Sequence, residues 1–242
     1  MTNSIRKLVK SLVWRISAFL VLTIVSFFVT RSVEAASTVA VFYTAIQVLL
    51  YYFHEKIWER IRWGKLKGVA VQFTGLSGAG KSTIAQALAT RMRNDGYDIE
   101  IIDGDEYREN LCSDLGFSRN DRIENLRRLS FVAHKIAEHG KVAVIAAISP
   151  YEECRQFLKN YPTRRLIVHV DVPLDVVIER DTKGLYKRAL LPAAHPDHVP
   201  LFTGVSDAFD IPNKPDVVVN THEQSLDTCV SIIEKAIRAK MR

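Results

Sequence analysis

The stretch Gly75-Leu76-Ser77-Gly78-Ala79-Gly80-Lys81-Ser82-Thr83 leaves this chain few choices of fold. It fits the pattern G-x-x-x-x-G-K-[ST] without a mismatch, and that pattern works only between a buried strand and a helix. Both flanks comply. Gly68 to Thr74 reads as a short buried strand, and Ser82 to Arg93 has no Gly or Pro and sets Ile84, Ala85, Ala87, Leu88 and Met92 on one helical side. Gly78 and Gly80 can adopt backbone angles that turn successive N–H groups inward, and the helix N-terminus adds partial positive charge. The expected nucleotide-binding set is Gly75, Ser77, Gly78, Ala79, Gly80, Lys81, Ser82 and Thr83. In such a loop the Lys81 ammonium reaches the β- and γ-phosphates of ATP, and the Ser82 hydroxyl ligates Mg²⁺.

The residues before this loop are of another kind. Of the 242 residues, the first 67 hold ten Lys and Arg against three Glu, whereas residues 68–242 are nearly neutral. The formal charge of +6 therefore belongs to the first quarter of the chain, beside its apolar runs. A membrane surface explains that distribution, and nucleic-acid binding is excluded for want of a basic stripe elsewhere. Ile16 to Thr30 is uncharged and, extended back to Leu12 with Arg15 snorkelling, is long enough to span. Ala35 to Phe53 is a second uncharged run, about 28 Å long as a helix. Tyr51, Tyr52, Trp58 and Trp63 gather at its end as an interfacial belt would, followed by Lys56, Arg60, Arg62, Lys65 and Lys67. The expectation is a membrane hairpin over residues 1–67, with spans at about 12–30 and 35–53. Positive charge at both outer ends puts both in the cytoplasm, at the inner membrane. A cleaved signal peptide would leave a second apolar run at the new terminus and carry a nucleotide site away from its nucleotide. An amphipathic core hairpin disagrees with runs that are apolar all round.

From 68 to 242 strands expected near 69–74, 99–102, 142–147, 166–171 and 216–219 alternate with helices near 81–93, 121–138, 152–159, 173–181 and 224–239. Alternation of this kind gives an α/β fold with a parallel sheet covered on both faces, and apolar Val142-Ala143-Val144-Ile145-Ala146-Ala147 suits a strand buried on both sides. Residues 187–215 hold Pro192, Pro196, Pro200, Pro212 and Pro215 and read as a long functional loop. Cys112, Cys154 and Cys229 are scattered, which argues against a disulfide framework and for a reducing compartment.

Ligands of open parallel sheets bind at the carboxyl ends of the strands, and four stretches fall there. The first is the phosphate loop. The second is Asp103-Gly104-Asp105, suited to metal-water positioning or proton abstraction from a hydroxyl, or equally to a helix N-cap with an acidic first turn. The third is Gly116 to Arg128, a helix capped by Ser118 or Asn120, on which Asp121, Asn125 and Arg128 share a face beside Arg122. Arg and Asn together can grip a phosphate or sulfate, although a solvated charged face is the plainer alternative. The fourth is Ile148-Ser149-Pro150-Tyr151, either a substrate-side loop or a turn into the next helix. His195 and His198 lack further ligands at metal-binding spacing and read as loop histidines.

Taken in order, these motifs resemble the adenylyl-sulfate (APS) kinase family. Phe73-Thr74 leads into the phosphate loop, then come Asp103-Gly104-Asp105 with Arg108, and Asp114-Leu115-Gly116-Phe117-Ser118 with Asp121-Arg122 and Asn125. Ile148-Ser149-Pro150-Tyr151, Arg180-Asp181, Lys183-Gly184-Leu185-Tyr186-Lys187 and Phe202-Thr203-Gly204-Val205 complete the series. The resemblance implies a P-loop kinase three-layer sandwich that transfers the ATP γ-phosphoryl to the 3′-hydroxyl of adenylyl sulfate, giving PAPS, with Mg²⁺. It implies Lys81, Asp105 and Ser149 as catalytic residues, Asp105 being the base or hydroxyl orienter and Ser149 the serine phosphorylated in some members. It further implies that Arg180 joins the nucleotide site, and that Asp103, Arg108, Arg122, Asn125 and Ile148 face the substrate. Phe117 and Phe202 would sandwich the substrate adenine, Lys183 with Gly184, Leu185 and Tyr186 would close over it, and Thr203 would face the substrate. A homodimer is one assembly that the resemblance allows. Residues 1–63 resemble, through Ser11-Leu12-Val13-Trp14-Arg15 and Trp58-Glu59-Arg60, a small family of two-span bacterial membrane proteins, which implies an anchor rather than a chemistry.

The run from Arg188 to Leu201 departs from the kinase family's pattern, being longer and richer in Pro, and Ser206-Asp207-Ala208-Phe209-Asp210 replaces a usual Asp-Ser/Ala-Pro-Tyr-Glu run. Both changes fall on the base-facing lid. They leave open a relative of the same fold acting on another nucleotide anhydride, such as a cytidine diphosphoramidate. A catalytically inactive nucleotide-binding regulator is the further alternative, against which Lys81, Ser82, Asp105 and Arg122 all stand intact.

Overall fold

The structure is a computed structural model that describes residues 8–18, 21, 33–60 and 67–241. The chain divides into two compact units, Met1–Lys65 and Leu66–Arg242.

In the first unit residues 8–18 form helix α1 and Val33–Arg60 form helix α2. Trp14 lies edge-on to Tyr51 at 4.9 Å and tilted against His54 at 5.4 Å, and Lys10 pairs with Glu55. These contacts run in opposite senses along the two helices, so the pair is antiparallel. The expected span at 35–53 lies within α2, whereas most of the span expected at 12–30 falls outside the described residues. Among the described residues no helix is long and apolar enough to cross a membrane. Phe42, Val48, Leu49, Phe53 and Ile57 of α2 are each half or more exposed.

The second unit is built on five parallel strands: β1 Val69–Thr74, β2 Ile99–Asp103, β3 Val142–Ala146, β4 Arg164–Val170 and β5 Val217–Val219. Their spatial order is β2-β3-β1-β4-β5. Alternate residues of β1 point to opposite faces, so Val69, Val71 and Phe73 enter one core and Ala70 the other. The first core holds Ile84, Leu88 and Met92 of α3 (Lys81–Asn94) and Ile233 and Ile237 of α9 (Leu226–Met241). The second holds Leu126, Leu129 and Ala133 of α5 (Arg119–Glu138), with Cys154 and Leu158 beyond it. This is the three-layer arrangement expected, and β1, buried throughout, is its centre. The three cysteines are free and buried, and burial pushes the Cys154 thiol up to about 11.

Further helices are α4 (Gly104–Glu109), α6 (Glu152–Gln156, continued by a 3₁₀ turn at Phe157–Asn160), α7 (Leu174–Arg180) and α8 (Leu185–Ala189). Helices α4 and α8 are absent from the expected pattern, and α8 takes the first residues of what reads as a loop from 187. Both are too short to show a period. Each is set by an aspartate at its start: Asp103 accepts from Asp105 N, and Asp181 accepts from Tyr186 N and Lys187 N.

Gly68 enters β1 so close to the end of α5 that a Cβ would lie 2.0 Å from Ala137 O and 2.6 Å from Lys141 O. Overpacking against backbone cannot relax as a side chain does. Gly68→Ala should destabilise the unit by about 3 kcal/mol, read as a lowered denaturation midpoint with unchanged slope.

Candidate active site

The carboxyl ends of β1, β2 and β3 open onto one cavity of about 740 Å³, a volume fit for a nucleotide-sized ligand. The loop after β1 forms its floor. Gly78 and Gly80 take φ of 73° and 95°, the left-handed angles that favour glycine, and Gly80 caps α3. Lys81 is buried, and its Nζ donates to Gly75 O (2.9 Å) and Leu76 O (2.7 Å). Burial lowers its pKa to about 8, opposed by the carboxylate of Asp105 and assisted by the nearby ammonium of Lys183.

The loop after β2 brings the carboxylates. Asp103 accepts from Ser82 Oγ (2.9 Å) through one oxygen and from Asp105 N (2.9 Å) through the other. It therefore ties the start of α3 to the start of α4: Asp103 is the helix cap, and the same carboxylate lies beside the Ser82 hydroxyl. Asp105 projects into solvent and meets Lys183 Nζ at 2.6 Å across the cavity. That hydrogen bond raises the Lys183 pKa. A pair this exposed adds about 0–1 kcal/mol to stability and is free to re-form with a ligand.

Helix α5 brings the guanidinium. Ser118 and Asp121 close a capping box, choosing Ser118 over Asn120 as the cap. Arg122 is buried; it donates to Phe117 O (3.0 Å) and Leu201 O (2.6 Å) and lies 3.6 Å from Asp207. Arg108 lies over the Phe117 ring at 4.7 Å and donates to Gly116 O. Burial and the neighbouring Arg122 lower its pKa. Asn125 is buried with Oδ1 unpartnered, as is Thr203 Oγ1, and both residues line the cavity. Arg128 turns instead to Asp114 and Glu124, outside the cavity.

The remaining wall comes from the long loop. Lys183, Leu185, Phe202 and Thr203 line the cavity, as do Val199, Pro200 and Leu201 of the segment that departs from the family pattern. Phe117 is open to solvent and Phe202 is buried, edge-on to Tyr186 at 4.9 Å. Tyr186 OH in turn donates to Ser77 O (3.0 Å), which fastens the lid to the phosphate loop.

The structure thus gathers Ser77, Gly78, Gly80, Lys81, Ser82, Thr83, Asp103, Asp105, Arg108, Phe117, Arg122, Asn125, Ile148, Ser149, Lys183, Leu185, Phe202 and Thr203 around one cavity. Gly75, Ala79, Arg180 and Gly184 do not line it. Arg180 holds Thr221 through its hydroxyl and carbonyl, and Thr221 Oγ1 donates to Ala79 O (2.9 Å), bracing the phosphate loop from behind. Ser149 lines the wall through the loop, but its side chain has no exposed surface and its Oγ accepts from Gln72 Nε2 (3.1 Å). A hydroxyl so enclosed suits support of the wall better than attack on a phosphate. Thr221 and Arg155 escaped the sequence reading, because a threonine in a turn and an arginine in a short helix give no signal of the partners they will meet. Among the described residues no group of three His, Cys, Asp or Glu could hold a metal.

A glycine loop between strand and helix, a buried lysine, and carboxylates facing arginines across one cavity define a P-loop phosphotransferase. The chain belongs to the adenylyl-sulfate kinase family: residues 67–220 match the family described as adenylylsulphate kinase. Residues 8–59 match a second family, described as predicted membrane protein (DUF2061). The adenylyl-sulfate kinase of Chloroflexus aurantiacus is 47% identical over 170 residues, 70% of this chain and 89% of the relative. That of a Synechococcus species is 42% identical over 174 residues, 72% of this chain and 97% of the relative. Among solved structures, Mycobacterium tuberculosis APS kinase CysC in complex with AMPPNP and APS superposes with a TM-score of 0.66 at 34% identity, covering 72% of this chain and 99% of that one.

The lowered pKa of Lys81 has a kinetic consequence. Its charge is fully present well below pH 8 and is lost as pH rises through about 8. The value of kcat/KM for ATP reports ionisations of the free enzyme, so it should be flat from pH 6.5 to 7.5 and fall about tenfold per pH unit above about 8. A profile flat to pH 10 would contradict the assignment.

Proposed function

We propose that the chain transfers the γ-phosphoryl group of ATP to the 3′-hydroxyl of adenylyl sulfate, giving PAPS. The observation that carries this reading is that one cavity joins Lys81, Asp105 and Arg122 with Phe117 and Phe202, residues from separated segments that the family motif requires together. The bond between the γ-phosphorus and the β,γ-bridging oxygen breaks as the bond from the 3′-oxygen forms, and ADP leaves. Catalysis of such a loose, in-line transfer rests on positioning and charge neutralisation. The loop amides and Lys81 hold the β- and γ-phosphates. Asp105 exchanges Lys183 for the acceptor hydroxyl, orients it and takes its proton. Arg108 and Arg122 hold the phosphosulfate, and the orphaned Asn125 Oδ1 and Thr203 Oγ1 find partners on the substrate. Mg²⁺ fits here: Ser82 Oγ beside the Asp103 carboxylate offers the hard oxygen ligands it prefers, and the ion would neutralise charge on the β- and γ-phosphates. Ser149 supports the acceptor wall without forming a phosphoenzyme.

Val199, Pro200 and Leu201, from the divergent lid, form part of the acceptor wall, so a different nucleotide anhydride is the competing acceptor. A coupled assay decides between them. Adenylyl sulfate should be turned over with ATP and Mg²⁺ at least 100-fold faster than a cytidine diphosphoramidate, and absence of turnover with adenylyl sulfate would remove this reading. Lys81→Ala should lower kcat at least 1,000-fold with the fold retained.

The N-terminal unit we take to be an anchor, a two-span hairpin in the inner membrane with the kinase unit in the cytoplasm. The family match over residues 8–59, the basic flanks and the exposed apolar residues of α2 support this. Removal of residues 1–64 should move the protein from the membrane fraction to the soluble one with kcat within a factor of two. A folded but inactive product would give the hairpin a further role.

A further inference from the structure

Arg155 does not line the active-site cavity and belongs to none of the sequence motifs, yet it is only 2% exposed. A guanidinium carries five N–H donors in a rigid plane, and here all five are used. Nε and Nη2 donate to Glu152 Oε2 at 3.2 and 3.0 Å. Nη1 donates to Thr74 Oγ1 (3.3 Å) and Ser149 O (2.9 Å), and Nη2 also donates to Asp210 O (2.8 Å). Glu152 balances the charge. The other three recipients belong to three different parts of the site.

Thr74 is the last residue of β1, immediately before the phosphate loop. Ser149 belongs to the loop after β3 that forms the acceptor-side wall. Asp210 ends the segment that carries Phe202 and Thr203. Around this centre the same parts are stitched again: Gly75 N donates to Ile148 O (3.2 Å), Thr74 Oγ1 to Ser149 O (3.0 Å), and Asp210 N to Pro150 O (2.8 Å). Ser149 sits at φ 47°, a left-handed angle that costs energy for a residue with a side chain, and the bonds to its carbonyl and hydroxyl hold it there.

We infer that Arg155 is a positioning residue for the phosphoryl transfer, locking the phosphate loop, the acceptor-side wall and the far end of the lid to one planar group. The inference rests on the kinase reading above. In-line transfer is sensitive to misplacement, an error of about 1 Å costing on the order of 100-fold in rate. A lysine would keep the charge but has three donors on a flexible stem, too few to hold all the recipients.

The test uses the full chain with Arg155→Lys, Thr74→Val, Thr74→Ser and the double variant Thr74→Val/Arg155→Lys. Titration with AMPPNP counts competent sites, so kcat is expressed per folded site. Expected is a 10- to 100-fold loss of kcat in Arg155→Lys with KM for ATP changed less than threefold. Thr74→Ser should retain most of what Thr74→Val loses, and the double variant should lose clearly less than the product of the two single losses, because Thr74 and Arg155 share one linkage. A kcat per folded site within twofold of wild type, with only a lowered melting temperature, would make Arg155 a purely structural residue and overturn the inference, as would additive losses in the double variant. If Arg155→Lys does not fold, the Thr74 pair decides: loss in Val with retention in Ser supports the linkage, and equal behaviour overturns it. Failure of the wild-type protein to phosphorylate adenylyl sulfate is a separate result and removes the kinase reading itself.

Discussion

The pairing of β1 between β3 and β4 is the constraint on which the rest depends. Its register sets Gln72 against Ile145 on one side and Thr74 against His169 on the other. Parallel strands that start level also end level, so the loops after β1, β2 and β3 emerge at one edge. The phosphate loop then meets Asp103 and Asp105 from one neighbour and Ile148-Ser149 from another without any of these segments bending far. A one-residue slip of β1 would send Val71 and Phe73 to the wrong face and move Gly75 away from its bond to Ile148 O. Core packing and site geometry are two outcomes of the same register.

On that frame the site is assembled by charge. Lys81 is held in a buried position by two loop carbonyls, at the cost of a lowered pKa, and Arg122 is held by two more. Fixed cations with their hydrogen bonds already made need little rearrangement when anionic oxygens arrive. The movable charges are the exposed ones, Asp105 and Lys183, which meet across the cavity. Burial thus divides the ionic groups of the cavity into enclosed ones, Lys81 and Arg122, and exposed ones, Asp105 and Lys183.

The N-terminal unit obeys a different logic. Its helices meet through Trp14, Tyr51 and His54 and through Lys10 with Glu55, and α2 leaves large apolar side chains exposed. Its sequence match is to a family described as predicted membrane protein, whereas the kinase family matches residues 67–220. The two family matches therefore fall on separate stretches of chain.

Much of this was legible in the residues alone. The phosphate loop, the five strands and the long helices follow from motif and period, because local backbone demands and the burial of one face are written in nearest neighbours. The motif series also named most of the residues that now share the cavity. What the residues could not show is which polar groups are buried. Arg155 and Thr221 look like surface residues until the strands bring Thr74, Ser149 and Ala79 to them. Ser149 gives no sign of burial in the residues alone, yet it is fully enclosed and its hydroxyl accepts from Gln72. The short helices α4 and α8 are set by Asp103, which caps the first, and by Asp181, which accepts from first-turn amides of the second. The sequence by itself determined the strand–loop–helix unit and the chemistry it can hold, since those depend on residues adjacent in the chain. Only the tertiary structure decided which side chains hold the parts of the site in place, because their partners are up to 142 positions away along the chain.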